Sequence, residues 1–307
     1  MRPRLKARPL LLLSPIVLYI LFCISSRYFC FIYFFISYLL LRFLFLVLFL
    51  IKLMYHKDMA IADYNDETYD YLKYWEGREY ENNSEFMALK NLLPKNFSKD
   101  KKVIDVGGGF GRFLPILKEK YGDVTVFDYS SKLLELAEKR GVELGINLKT
   151  IKGDVNNISE IFNEKYDCII MIRVSHHLDN LEQVLEQIRE ILNEDGIFIL
   201  EIANKINFKS VVRNFFKGNF KFFDKKPVSV ATKSVTFLNY HPKYVEDILN
   251  KLGYKIEKKL SVSNFRHPFF KRVFPMKMLL FKESLMQKIG AAVNFGPSIF
   301  YKLTIKK

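Results

Sequence analysis

The run Val103-Ile104-Asp105-Val106-Gly107-Gly108-Gly109-Phe110-Gly111-Arg112-Phe113 sets an acid inside an apolar stretch and glycines directly after it. Such a run is a buried strand entering a turn too tight for side chains and leaving in a helix. Glycine serves there because backbone must take φ > 0 or come close to a ligand. Two more acids follow the next apolar runs: Asp128 closes Val124–Asp128, and Gly153-Asp154 follows Leu148–Lys152. A dinucleotide fingerprint has the spacing G-x-G-x-x-G. Counted from Gly107, its third glycine would fall on Arg112, and the observed spacing is Asp105-x-Gly107-x-Gly109-x-Gly111. A pyrophosphate needs a helix N-terminus aimed at it. A tighter glycine loop with a strand-end acid suits a ligand carrying positive charge and an amino group. A carboxylate at Asp128 can accept from two ribose hydroxyls, and one at Asp154 can meet an adenine amino group. Together the three acids fit a nucleoside with a cationic head.

Ser175-His176-His177 follows a long apolar run, Tyr166–Val174. Histidine titrates near neutrality and can take a proton from a hydroxyl or an acidic carbon. Both histidines are therefore candidate bases, with His176 slightly preferred; the plainer reading is that one caps a turn and packs on the sheet.

These residues need a scaffold that brings strand ends to one edge. The sequence predicts helices around Tyr64–Tyr80 and Ser84–Leu93, then an alternation. Val103–Val106 is a strand, Phe113–Tyr121 a helix, Val124–Asp128 a strand, Ser130–Gly141 a helix with Ser and Gly as its cap signals, and Leu148–Lys152 a strand. Tyr166–Val174 lacks polar alternation and fits a strand buried on both faces. Leu181–Leu192 is a helix, Asn193–Gly196 a turn and Ile197–Ile202 a strand. After residues 205–240 break the rhythm, a helix at Pro242–Leu252 and strands at Tyr254–Val262 and Ile299–Ile305 follow. This order predicts an α/β fold, Rossmann-like and doubly wound: a mostly parallel sheet with helices on both faces, plus an N-terminal hydrophobic extension.

The ordered set VIDVGGGFGRF, VTVFDYS, IKGDV, YDCIIMIRVSHHLDN and GIFILEIANK resembles class I S-adenosylmethionine-dependent methyltransferases, closest to the type 11 small-molecule methyltransferase domains. The likeness covers about residues 60–204, with a weaker match over 240–262. It implies S-adenosylmethionine as cofactor. It implies that Asp105, Gly107, Gly108 and Gly109 line the methionyl part, that Asp128 binds the ribose with Tyr129 beside it, and that Asp154 and Val155 contact adenine. Arg173 falls where the fourth strand ends at the methyl donor, a place where many members carry a small polar residue. Methyltransferases acting on amino groups of bases or glutamine would show an Asn/Asp-Pro-Pro-aromatic motif where this chain has Arg173-Val174-Ser175-His176, and no Pro-Cys nucleophile is present. No metal cluster is visible in the sequence.

The 307 residues divide into three regions of charge: +7 over residues 1–53, −9 over 54–204 and +17 over 205–307, giving the net +15. Cys23, Cys30 and Cys168 have neither disulfide-framework nor metal-site spacing, so a reducing compartment and a cytoplasmic location are expected. Leu10–Ile51 is almost wholly apolar, and Tyr28–Ile51 is long enough to span a bilayer despite Arg42. Residues 1–58 read as a membrane anchor, as upstream sequence from a start codon placed too early, or as a signal peptide; the first would make the protein membrane-associated. Residues 59–98, rich in Tyr64, Tyr69, Tyr71, Tyr74, Trp75, Arg78 and Tyr80, form either a lid over the cofactor or a helix packed on the sheet edge. Residues 99–204 are the cofactor-binding core and 241–307 the C-terminal part of the same domain. The basic, Phe-rich stretch 205–240, with Arg266, His267, Lys271 and Arg272, is expected to cap the substrate site. Its chemistry suits a small-molecule or lipid-linked acceptor or an anionic membrane surface, with nucleic acid less favoured and a solvated basic face as the plain alternative. The oligomeric state is open. The rival functions are a catalytically silent cofactor-binding module and an NAD(P)-dependent oxidoreductase of similar fold.

Overall fold

A computed structural model describes residues 71–96, 98–231 and 236–307, together with Tyr38 and Arg42. Residues 1–58, expected to be an anchor, an early start or a signal peptide, and Tyr64 and Tyr69 of the expected lid segment lie outside the described residues. Among the described residues, no helix is long and apolar enough to cross a membrane.

Seven strands form one sheet in the order β3-β2-β1-β4-β5-β9-β8. The first five, β1 (Ser98–Val106), β2 (Tyr121–Asp128), β3 (Leu148–Lys152), β4 (Tyr166–Met171) and β5 (Leu192–Ala203), are mutually parallel. Strand β9 (Ser298–Ile305) runs antiparallel to both β5 and β8 (Tyr254–Val262). Helices α1 (Tyr71–Tyr74) and α2 (Glu79–Leu92) precede β1, and α3 (Leu114–Leu117), α4 (Ser131–Glu143), α5 (Ile158–Ile161) and α6 (Leu181–Glu190) connect the parallel strands. Between β5 and α8 (Pro242–Lys251) lie α7 (Phe208–Phe216), a 3₁₀ turn at Phe220–Phe223 and a hairpin of β6 (Val228–Ala231) and β7 (Thr236–Asn239). Two further helices, α9 (Pro268–Val273) and α10 (Met276–Ala292), precede β9.

The sheet is apolar on both faces, which is what uninterrupted runs such as that of β4 require. Ile104, Ile169, Met171 and Leu200 pack under α6 and α8, while Val103, Cys168, Ile170 and Ile199 pack under α2 and α4. Successive residues of β4 thus enter opposite cores. Each such apolar side chain contributes roughly 1.5–3 kcal/mol when buried.

Local differences from the expected elements have tertiary causes. The helix predicted over Phe113–Tyr121 is a single turn, because Tyr121 pairs with Ser98 and is drawn into β2. Gly77 takes φ +71° and separates α1 from α2. Strand β4 stops at Met171, and Arg173 takes φ +63°. The predicted turn Asn193–Gly196 is a bulge inside β5, since Leu192 pairs with Tyr166 but Ile197 already pairs with Cys168. Register aligns the strand ends: Val106 lies opposite Phe127 and Met171, and Asp128 opposite Lys152. Asp105, Asp128 and Asp154 are thereby gathered at the carboxyl edge, where open α/β sheets hold ligands.

Candidate active site

The glycine loop is fixed by what surrounds it. Gly107, at φ +68°, donates its N–H to the Phe127 carbonyl at 2.7 Å, and a β-carbon there would lie 2.2 Å from Val174 Cγ2. A β-carbon on Gly108 would lie 2.8 Å from Asp105 Cγ. The bare backbone therefore lets the loop close over the Asp105 carboxylate.

Asp105 is buried, and its Oδ2 has no hydrogen-bond partner. Burial pushes its carboxyl up to about 8; Arg112 pulls down against this, and Asp128 adds a smaller upward push. Asp128 accepts from Gly109 N–H on Oδ2 and from Ser130 N–H on Oδ1, both at 2.8 Å. Burial also raises its carboxyl, against the pull of the Ser130, Gly109 and Tyr129 N–H groups. Each oxygen of a carboxylate retains further acceptor capacity, so Asp128 both ties the glycine loop to β2 and keeps room for a ligand. Asp154 is exposed and accepts from Asn156 N–H at 2.9 Å, which starts the 3₁₀ turn after β3.

Arg173 enters with its backbone strained and its side chain committed. Its N–H donates to Glu201 Oε2 at 2.9 Å, which holds the left-handed conformation. Its guanidinium donates to Glu85 Oε1 from Nη2 at 2.6 Å and from Nε at 3.0 Å, and to Tyr74 Oη from Nη1 at 3.0 Å. Arg112 Nη2 reaches the other Glu85 oxygen at 2.5 Å. Both guanidiniums lie over the Trp75 ring, at 4.0 Å for Arg112 and 4.8 Å for Arg173. Burial pushes the Glu85 carboxyl up, but Arg173 and Arg112 together outweigh it and hold it below its ordinary value. Sequence reasoning missed Glu85, Arg112 and Glu201 as site residues. Glu85 sits in an acidic, aromatic stretch that gives no sign of partners 27 and 88 residues away.

The two histidines form a 3₁₀ turn, Ser175–His177, after β4. Phe237 of β7 covers both, with ring centroids 5.0 Å from His176 and 4.7 Å from His177. Burial lowers His177 to about 4, and burial, with smaller contributions from His177 and Arg173, holds His176 well below the usual imidazole range. Both rings are thus neutral at ordinary pH.

These groups surround one cavity of about 390 Å³. Asp105, Gly107, Gly108, Gly109 and Asp128 line its floor with Tyr129, and Asp154, Val155 and Arg173 complete the nine cofactor residues expected from sequence. Of the histidines, His177 lines it and His176 does not. Of the described aromatics from the segment expected to be a lid or an edge-packed helix, Tyr71 lines it, edge-on against Phe110 at 5.7 Å. Tyr80 points elsewhere, donating to Glu283 Oε2 at 2.5 Å.

A family model described as a methyltransferase domain matches residues 74–257. The chain belongs to that family. It is similar to an uncharacterized protein of Methanocaldococcus jannaschii, 27% identical over 224 residues that cover 66% of this chain and 79% of the relative. It is also similar to a ubiquinone biosynthesis O-methyltransferase of Actinobacillus pleuropneumoniae, 28% identical over 109 residues. That match covers 34% of this chain and 47% of the relative, so the chain spans less than half of that enzyme's length. A solved structure from Listeria monocytogenes, a putative S-adenosylmethionine dependent methyltransferase, shares the fold with a TM-score of 0.54 at 14% identity, over 75% of this chain and all of that one. The methyltransferase has the class I fold, and its cofactor is S-adenosylmethionine.

The residues present fit that cofactor. Asp105 offers a buried, unpartnered carboxylate oxygen, for which a ligand ammonium is the natural complement. The bare glycine loop admits a ligand close to the backbone, and the remaining lone pairs of Asp128 suit a pair of hydroxyls.

Proposed function

We propose that this methyltransferase moves a methyl group to an oxygen of a small-molecule or lipid-linked acceptor. The observation that carries this reading is His177, a neutral imidazole in the wall of the donor cavity. Bound S-adenosylmethionine supplies an electrophilic methyl group on a sulfonium sulfur. Asp105 holds the amino end, Asp128 the ribose with Tyr129 alongside, and Asp154 and Val155 the adenine. Arg173 lines the cavity, and its side chain locks Tyr74 and Glu85 in place. His177 takes the acceptor's hydroxyl proton on a ring nitrogen as that oxygen becomes the nucleophile. Sulfonium charge disappears in such a reaction, so positioning and exclusion of water by Tyr71 and Phe110 supply most of the rate. Relatives named for O-methylation support oxygen as the acceptor atom. The basic, aromatic segment between β5 and α8 supports an acceptor that is anionic or carries a lipid.

Transfer of an isotope-labelled methyl group from S-adenosylmethionine into a cell extract tests turnover and identifies the acceptor. Calorimetry should show S-adenosylhomocysteine binding and NADH not binding. Binding without any labelled product would favour the catalytically silent module, and NADH binding would favour the oxidoreductase.

A further inference from the structure

Helix α10 buries two polar side chains and exposes several large apolar ones. Glu283 and Gln287 are fully buried. Glu283 accepts from Ser263 N–H at 2.8 Å, Asn264 N–H at 3.0 Å and Tyr80 Oη, so its charge is spent on shaping the turn after β8. The opposite face shows Phe281, Leu285 and Ile289 to solvent, 66%, 53% and 66% exposed. Val293 continues the row just past the helix at 68%. Residues spaced three or four apart share one helix face, so these form a continuous apolar stripe.

The stripe leads to α7. Phe208 stacks on Phe295 with ring centroids 4.9 Å apart, and its N–H donates to the Phe295 carbonyl at 2.9 Å. Beyond it, Phe215, Phe216 and Phe220 are 59%, 58% and 66% exposed. The chain that carries these rings has a strong basic excess, although Lys271 pairs with Glu81 and Lys225 with Asp247. From Asn264 to Gly296 six Lys/Arg face a single acid, the buried Glu283. From Asn204 to Pro227 seven Lys/Arg accompany one acid, Asp224; Lys205 is buried and Lys225 pairs with Asp247, and the other basic groups beside the rings are Lys209, Arg213, Lys217, Lys221 and Lys226.

A soluble monomer rarely leaves so many large apolar groups uncovered in one region. A second copy placed on this face would oppose like charges. An anionic bilayer takes both features: rings enter the headgroup boundary while Lys and Arg reach lipid phosphates. We infer that α7 and α10 form a docking face for an anionic phospholipid membrane. The inference stands on the surface and holds whichever acceptor is methylated. It also has a consequence for the site, because the segment bearing the exposed phenylalanines continues into Phe237, which covers His176 and His177.

Hydrogen exchange by mass spectrometry tests this on the full chain mixed with vesicles of phosphatidylglycerol or phosphatidylcholine. Local protection is the readout, because the apolar run Leu10–Ile51 could capture vesicles by itself. Amides of 208–220 and 276–293 should exchange about tenfold more slowly on phosphatidylglycerol than on phosphatidylcholine, and high salt should remove the difference. The Phe281→Glu/Ile289→Glu variant should lose that protection while binding S-adenosylhomocysteine with unchanged affinity, which shows that it is folded. Absence of lipid-dependent protection, or equal protection on both lipids, would overturn the proposal. Protection without lipid that grows with protein concentration would overturn it too and assign the face to a second copy.

Discussion

Arg173 Nη2 lies 2.6 Å from Glu85 Oε1, across 88 residues of sequence. Glu85 belongs to α2, and Arg173 stands at the exit of the central strand β4, so this pair pins the N-terminal helices against the donor cavity. Arg112, on the far side of the glycine loop, holds the second Glu85 oxygen. One carboxylate therefore bridges two guanidiniums, and the glycine loop is tied through it to the helices that precede β1.

Replacement of Glu85 by Gln removes the charge that Arg112 and Arg173 share. Breaking a buried ion pair from one side costs about 3–5 kcal/mol, and a loss of that size is expected in denaturant unfolding. S-adenosylhomocysteine affinity should fall as well, because Tyr71 and Tyr74 lose their anchor. A variant within about 1 kcal/mol of the parent protein would contradict a shared carboxylate.

Arg173 separates backbone strain from side-chain bonding. Arg173→Ala and Arg173→Gly both lose the Glu85 contact, but only glycine tolerates φ +63° freely. Relief of a left-handed non-glycine residue is worth about 1 kcal/mol, so the glycine variant should be the more stable by that amount. Equal unfolding midpoints would show that residue 173 relaxes out of the left-handed region.

Asp105 should make cofactor binding depend on pH. Its carboxyl stands near 8 in the folded protein against 3.8 ordinarily. A ligand ammonium requires the ionised form, so S-adenosylhomocysteine affinity should rise between pH 6 and 8, by at most about tenfold per unit, with release of a proton detectable by calorimetry in different buffers. The stability effect has the opposite sign. The folded state binds this proton more tightly, so its contribution is complete below pH 3.8 and is lost as pH rises through 8. Asp105→Asn should accordingly be more stable than the parent at pH 8, by roughly 2 kcal/mol or more, while binding cofactor poorly.

His177→Ala should reduce kcat by roughly 10²–10⁴-fold if the ring accepts the acceptor's proton. His176→Ala, outside the cavity lining, should have the smaller effect. With His177 lowered to about 4, the acid limb of the rate profile should lie near pH 4 instead of 6.5. The unfolded chain binds that proton more readily, so the stability from the neutral ring is present above pH 6.5 and falls as pH drops through 4. A rate limb near 6.5 would exclude His177 as the base.

The strand-end acids were legible because each follows a short apolar run, and strand direction in a parallel sheet then carries them to one edge. The buried run of β4 was legible for the same reason, up to Met171; nothing in Ile172-Arg173-Val174 announces a left-handed residue held by Glu201. Helix α10 was not legible. Its buried side mixes Glu283 and Gln287 with Leu279 and Ala291, and its exposed side holds Phe281 and Leu285, so the usual segregation of apolar residues inward and polar ones outward is blurred. The Phe113–Tyr121 stretch looked helical because its local pattern is helical, and pairing of Tyr121 with Ser98 overrode it.

Strand β9 sits between β5 and β8, bonded to both. During synthesis, β5 leaves the ribosome long before its neighbour at 298–305 exists. Throughout that interval the nascent chain presents an edge made of Phe198, Ile199, Leu200 and Ile202 without its β9 partner, the kind of strand that joins other chains indiscriminately. The sheet is thus completed only when the last strand of the chain arrives, and a chain cut before residue 298 would leave both β5 and β8 without their shared partner.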